Sequence, residues 1–233
     1  MSIDQHKALH DQALAFEMQG KLWKAIELYR KLLEIEPELH EVRVKLGELY
    51  YVAGDIKKSI TEFEKVCQAK PDYTFALYRL AISYYRATHF AEAIKVFDHI
   101  VQVEPELYMA YYWQGLCYYH RGQMQKSIEC FQKLSQKSPD STLGFYQMAI
   151  TYKAMGKYDE AIAVLKAILK EDHTIVSVWY HLGLAYLGKS DIHEAVRCFK
   201  KVLELEPEHV DAAHQLKRLI EPDEQYTFEV PGL

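Results

Sequence analysis

The stretch VWYHLGLAYLGKSDIHEAVRCFKKVLELEP, residues 178–207, decides the fold. Apolar residues recur at helical spacing over about 176–188 and again over 192–205, and Pro207 closes the second pattern. Proline has no backbone N–H and a fixed φ, so a helix stops there. The same proline stands at Pro37, Pro71, Pro105 and Pro139, on one ruler of 34 residues, and only the slot at His173 is filled otherwise. A fixed period of this length is the mark of a stacked repeat. A chain used up by one repeat has little room for a catalytic domain, and what it offers partners is surface.

The other columns of the register agree. Small residues recur at Ala13, Gly47, Ala81, Gly115, Ala149 and Gly183, and at Ala25, Ser59, Ala93, Ser127, Ala161 and Ala195. Closely packed helices need such residues where their backbones approach. Aromatics recur at Phe16, Tyr50, Tyr84, Tyr118, Tyr152 and Tyr186, read here as core, and at Tyr29, Phe63, Phe97, Phe131 and Phe199, with Leu165 in the remaining slot. The pattern predicts first helices over about 5–18, 40–53, 74–87, 108–121, 142–155 and 176–188. It predicts second helices over about 21–35, 56–69, 90–103, 124–137, 158–171 and 192–205. Gly20, Gly54, Gly122 and Gly156 fall in the turns within repeats, where positive φ ends a helix.

Trp179, Leu182, Gly183, Tyr186, Ala195, Phe199 and Pro207 match the W-x2-L-G-x2-Y, A-x3-F and P pattern, so the chain resembles the tetratricopeptide repeat (TPR) family. The resemblance implies an all-α fold, a right-handed α-α superhelix of antiparallel helix pairs. Six repeats are expected over 1–209, at about 6–39, 40–73, 74–107, 108–141, 142–175 and 176–209, with a capping helix over 210–220 and an acidic extended tail over 221–233. Repeat one is the least regular. Repeat five lacks its proline and has Leu165 for the aromatic, which predicts a looser turn around His173.

With a formal net charge of −5 and 26% charged residues, the chain lacks the basic surplus of a nucleic-acid binder. No apolar run of 18 residues occurs, and the start MSIDQHK has no apolar signal core, so the expectation is a cytoplasmic protein, attached to a surface only through a partner. Cys67, Cys117, Cys130 and Cys198 make no C-x-x-C pair and read as buried thiols of a reducing compartment. His6 and His10 have i, i+4 metal spacing but no third ligand in the sequence register, so no metal and no cofactor is expected. Nucleotide-binding and nucleophile-elbow motifs are absent, and no enzyme is expected.

In the TPR family the first helices line a concave groove that receives a partner peptide. Carried onto this sequence, one groove column runs His10, Val44, Tyr78, Tyr112, Tyr146, Tyr180, and its neighbour runs Glu17, Tyr51, Tyr85, Tyr119, Lys153, Leu187. Arg79, Arg86, Trp113, His120 and His181 adjoin them. Tyrosine, tryptophan and arginine dominate binding hot spots, so a peptide with apolar or aromatic anchors and acidic residues is the expected ligand. The competing reading is that these tyrosines fill space between helices. The sequence holds no asparagine, which argues against the family's two-asparagine carboxylate clamp and its asparagine ladder.

The tail EPDEQYTFEVPGL reads either as disordered or as docking Tyr226, Phe228 and Val230 into a groove, its own or a neighbour's. The expected function is a non-enzymatic protein-binding scaffold or adaptor. The alternative is a self-assembling structural protein, joined through the first repeat and the tail into oligomers or a coat on a cellular surface.

Overall fold

The structure, a computed structural model, describes residues 3–220, with side chains from His6 onward. The tail, with the docking expected of Tyr226, Phe228 and Val230, lies outside the described residues. Among the described residues thirteen helices follow one another: α1 (Ile3–Met18), α2 (Leu22–Ile35), α3 (His40–Val52), α4 (Ile56–Ala69), α5 (Thr74–Arg86), α6 (Phe90–Val103), α7 (Met109–His120), α8 (Met124–Lys137), α9 (Leu143–Ala154), α10 (Tyr158–Glu171), α11 (Val176–Gly188), α12 (Ile192–Leu205) and α13 (Val210–Ile220). They form an all-α TPR solenoid, consistent with six helix pairs and a cap. Each helix end lies within two residues of its sequence-predicted position.

Each pair is turned by the same device. The residue five places after the column aromatic donates its N–H to that aromatic's carbonyl oxygen at 2.9 Å in all six repeats: Lys21 to Phe16, Asp55 to Tyr50, His89 to Tyr84, Gln123 to Tyr118, Lys157 to Tyr152 and Asp191 to Tyr186. This satisfies a carbonyl that the helix end would leave unpaired, and it requires a left-handed residue in between. Gly20, Gly54, Gly122 and Gly156 supply it with φ between 69° and 85°, while Thr88 and Ser190 adopt it at 60° and 63° without being glycine.

The chain divides into two compact units, Met1–Lys126 and Ser127–Leu233, the boundary falling inside α8. In the first unit each helix from α1 to α7 packs on the next, and the first helices α3 and α5, then α5 and α7, also touch. In the second unit α9 to α13 pack in the same sequential way, and α9 touches α11. Each unit therefore presents a face built of adjacent first helices.

The cores are set by the second-helix aromatics. Tyr29, Phe63, Phe97, Phe131 and Phe199 are all fully buried, with Leu165 in the one aliphatic slot. Burying one such side chain stabilises by roughly 1.5–3 kcal/mol. The small column makes room for them. A Cβ on Gly47 would come within 2.9 Å of Phe63, and one on Gly183 within 2.8 Å of Phe199. The first-helix aromatic column divides: Tyr50 and Tyr186 are buried, but Phe16, Tyr84, Tyr118 and Tyr152 are only half-buried. The reading of the whole column as core is corrected at those four positions. Phe16 lies in α1, the first described helix, and the tyrosine hydroxyls need polar surroundings, as when Tyr84 donates to Glu64 at 2.5 Å.

Several buried or half-buried polar groups are paired within a repeat or between neighbouring ones. Arg43 donates to Glu62 at 2.7 Å and to the Pro37 carbonyl oxygen at 2.7 Å, and the Ser59 and Ser83 hydroxyls lie 3.1 Å apart. Cys117, Cys130 and Cys198 are buried and unbridged, and burial pushes the Cys198 thiol up to about 12. The cap α13 lays Ala212, Leu216 and Leu219 on the core that holds Phe199 and Val202.

Repeat five replaces its missing proline with hydrogen bonds. Asp172 Oδ1 accepts from the Thr174 N–H at 2.8 Å and from its hydroxyl at 2.6 Å, and Trp179 Nε1 donates to the His173 carbonyl oxygen at 2.8 Å. The turn expected to be looser is held by three hydrogen bonds. Among the described residues no helix is long and apolar enough to cross a membrane.

Candidate functional site

The first-helix face of the first unit is a connected aromatic surface. Trp113 on α7 sits at its centre and donates its indole N–H to the Tyr78 hydroxyl on α5 at 2.8 Å. The Tyr85 ring meets Trp113 edge-on at 5.1 Å, and the Tyr112 ring does so at 5.3 Å. The Tyr85 hydroxyl lies 3.0 Å from His120 Nε2. The His120 ring stacks on Phe90 at 5.0 Å and 12°, and Tyr119 packs against it at 5.6 Å. Burial pushes the Tyr85 and Tyr112 hydroxyls above the ordinary tyrosine value, so these groups stay neutral.

Beside this nest lies a charged layer. Arg79 and Arg86 stand two turns apart on α5, so they project from one face. Both reach the Tyr51 ring on α3, at 5.0 Å and 4.7 Å from its centroid, and Arg86 also donates to the Tyr51 carbonyl oxygen at 3.0 Å. Glu48 lies 3.6 Å from Arg79 and 3.9 Å from Lys45, which is itself 3.6 Å from Glu17. Two cations, Lys45 and Arg79, thus share the two carboxylates Glu17 and Glu48. Among the described residues the exposed Arg86 makes no ion pair.

The second unit has its own group. Lys153 on α9 and His181 on α11 are hydrogen-bonded, Nζ to Nδ1, at 2.9 Å. Tyr146 and Tyr180 pack edge-on against the His181 ring at 5.5 and 5.6 Å. Tyr180 continues to Phe199 at 5.8 Å and to His209 at 5.1 Å.

The residues read from the sequence therefore fall into two groups. Tyr51, Tyr78, Arg79, Tyr85, Arg86, Tyr112, Trp113, Tyr119 and His120 belong to the first unit, and Tyr146, Lys153, Tyr180 and His181 to the second. The tyrosines are half-buried, between the open-surface and filler readings. Tyr78 also touches the core at Phe97, 6.2 Å away. Val44, placed in a groove column, is buried instead, because a small apolar side chain at that position packs with Ile60, Phe63 and Leu80. Phe90 and Glu48 were missed. The signal for Phe90 was present, since Leu22, Ile56, Phe90, Met124, Tyr158 and Ile192 form one more apolar column on the same period.

Family models for the tetratricopeptide repeat match residues 10–74 and 146–191, and again 176–209. The chain belongs to the tetratricopeptide repeat family. A model described as anaphase-promoting complex, cyclosome, subunit 3 matches residues 87–168. Among solved structures the chain is similar to a MamA protein, with 25% identity and TM-score 0.66 over 75% of this chain and 96% of that one. It is also similar to YrrB, described as a TPR protein with an unusual peptide-binding site, with 18% identity and TM-score 0.63 over 81% of this chain and 97% of that one. A chain of the APC/C hetero-tetramer Cut9-Hcn1 aligns at 15% identity and TM-score 0.61, over 93% of this chain and 43% of that one. The last two likenesses speak to the fold alone. No curated protein matches the chain.

Proposed function

We propose that this chain is a non-enzymatic scaffold or adaptor that holds a peptide segment of a partner protein on the first-helix face of its first unit. The observation that carries the reading is the nest of Tyr78, Tyr85, Phe90, Trp113 and His120 beside the layer of Arg79, Tyr51 and Arg86. Tryptophan, tyrosine and arginine are the side chains that dominate binding energy in interfaces. An apolar or aromatic anchor of the partner rests on the rings. An acidic neighbour meets Arg86, whose charge is not answered by a described carboxylate. Tyr112 and Tyr119 complete this wall, and the second unit's Tyr146, Lys153, Tyr180 and His181 form a separate proposed surface. Tetratricopeptide repeats typically mediate protein–protein interaction, which supports a protein partner. The unbridged thiols support a reducing, cytoplasmic setting.

The test begins with capture of a partner by the intact chain. Replacing Tyr85 and Trp113 together by alanine is expected to weaken that partner by roughly a hundredfold or more, since hot-spot truncations cost about 2 kcal/mol or more each. Arg86→Glu, at an exposed position outside the buried core, is the companion variant and is expected to weaken binding as well. Unchanged affinity in both variants overturns the reading. Sedimentation of the ligand-free chain across concentration decides against the self-assembling alternative if the chain stays monomeric.

A further inference from the structure

Lys153 and His181 are an unusual pair to find on a binding face, because both are bases. Lys153 leaves the last turn of α9 and His181 the middle of α11. An ammonium can only donate, so His181 Nδ1 accepts the 2.9 Å hydrogen bond and the neutral ring carries its proton on Nε2. Both side chains are half-buried. Among the described residues Lys153 makes no ion pair with a carboxylate. A partly desolvated ammonium without a counter-ion is an unfavourable arrangement that an arriving anion relieves.

The surroundings fit such an anion and little else. The groups facing the pair are tyrosines, Tyr146 from α9 and Tyr180 from α11. No charge from α10 or α12 acts on either base, and Asp211 acts on Tyr180 instead. Burial holds Lys153 below the ordinary lysine value, and burial followed by the Lys153 charge lowers His181 to about 4. Tyr146 also walls a cleft of about 230 Å³ whose apolar sides are Leu143, Ile175 and Val178. An aliphatic side chain suits that volume.

We propose that Lys153 and His181 together receive one carboxylate of an acidic peptide, an Asp or Glu side chain, while an aliphatic neighbour in the peptide fills the cleft beside Tyr146. The inference rests on the peptide-binding reading above but uses another unit and other residues. As the carboxylate arrives, a solvent proton binds His181 Nδ1, Lys153 gives up its hydrogen bond to the ring, and both cations donate to the carboxylate oxygens. The ligand's negative charge raises the His181 value in the bound state. Between the free value of about 4 and that raised value, binding takes up a proton, so affinity falls as pH rises through the window.

The probe is N-acetyl-Leu-Glu-amide, with N-acetyl-Leu-Gln-amide as its uncharged control, added to the intact chain while the ring resonances of His181 are followed by NMR against pH. The Glu peptide is expected to raise the His181 midpoint by about two pH units, and so to bind about tenfold more tightly at pH 5 than at pH 7.5. Lys153→Met is expected to weaken binding at both pH values, and His181→Gln to retain binding without the pH dependence. A midpoint unmoved by the Glu peptide overturns the proposal. Equal binding of the Gln peptide overturns it too, while leaving peptide binding as such intact. Loss of the captured partner in the Tyr85 and Trp113 variant is read separately, so the two readings fail independently.

Discussion

The two first-helix faces carry different cations at corresponding places. In the first unit Arg79 and Arg86 flank Tyr51, and in the second Lys153 is hydrogen-bonded to His181. Arginine stays charged at every accessible pH and lays its planar fork on aromatic rings, whereas lysine and histidine titrate when buried. The positions correspond. Lys45, Arg79, Trp113, Gln147 and His181 occupy one column of the 34-residue period, and Tyr51, Tyr85, Tyr119, Lys153 and Leu187 another. The period fixes where a side chain emerges, and the residue placed there sets whether the face is permanently charged, aromatic or proton-sensitive.

The comparison presumes that each unit has its own core, and the largest expected effects test that. Phe63→Ala and Phe199→Ala each remove a fully buried ring and are expected to cost about 3–5 kcal/mol. In a stack that is held by neighbour contacts, the loss stays near its site. Hydrogen exchange is expected to speed up in α3 to α6 for the first variant and in α11 to α13 for the second. Equal loosening of all thirteen helices in either variant would break the comparison, because the two faces would then belong to one cooperative body.

The sequence carried the helices and the buried second-helix aromatics because both follow from period, and period survives without knowledge of neighbours. Burial at the first-helix aromatics did not follow from it. Tyr50 and Tyr84 share a column, yet Tyr84 turns its hydroxyl to Glu64 and stays half-exposed. The turn at His173 failed for a similar reason. Its strength lies in Asp172, Thr174 and Trp179, side chains whose hydrogen bonds no repeat pattern specifies. The candidate site was legible as a set of residues but not as contacts. That Arg86 reaches Tyr51 and Lys153 reaches His181 depends on packing between repeats, 35 and 28 residues apart.

A smaller effect separates the units by pH. His181 is lowered to about 4 in the folded chain, first by burial and then by Lys153. The ordinary histidine value is about 6.5. The unfolded chain therefore binds more protons than the folded one between these values. The stability linked to His181 is fully present above about pH 6.5 and is lost as pH falls toward 4. After allowance for solvent screening, the loss on going from pH 7 to pH 5 is on the order of 1 kcal/mol. The protection of the α9 and α11 amides, taken relative to their intrinsic exchange at each pH, is expected to fall over that range, and His181→Gln to remove the change. Identical acid loosening in the variant would show that the pair does not titrate as its geometry implies.

The smallest expected effect comes from the turns, where each unit holds one departure from glycine. Thr88 and Ser190 adopt φ near 60°, a region that L side chains other than Asn and Asp rarely enter. The turn demands it, because His89 and Asp191 must bring their N–H groups to the carbonyl oxygens of Tyr84 and Tyr186. Glycine meets the same demand at Gly54 and Gly122 with no neighbouring atom within 4 Å of a built Cβ, so the difference between the two kinds of turn is backbone preference alone. Thr88→Gly is expected to stabilise the first unit by about 1 kcal/mol, and Ser190→Gly the second by about half that, since the β-branched side chain is the more crowded of the two. The reverse change, Gly54→Thr, is expected to cost about 1 kcal/mol. Melting or denaturant midpoints on the three variants check the signs. A destabilised Thr88→Gly would mean that the threonine side chain holds the turn in a way that outweighs its strained backbone.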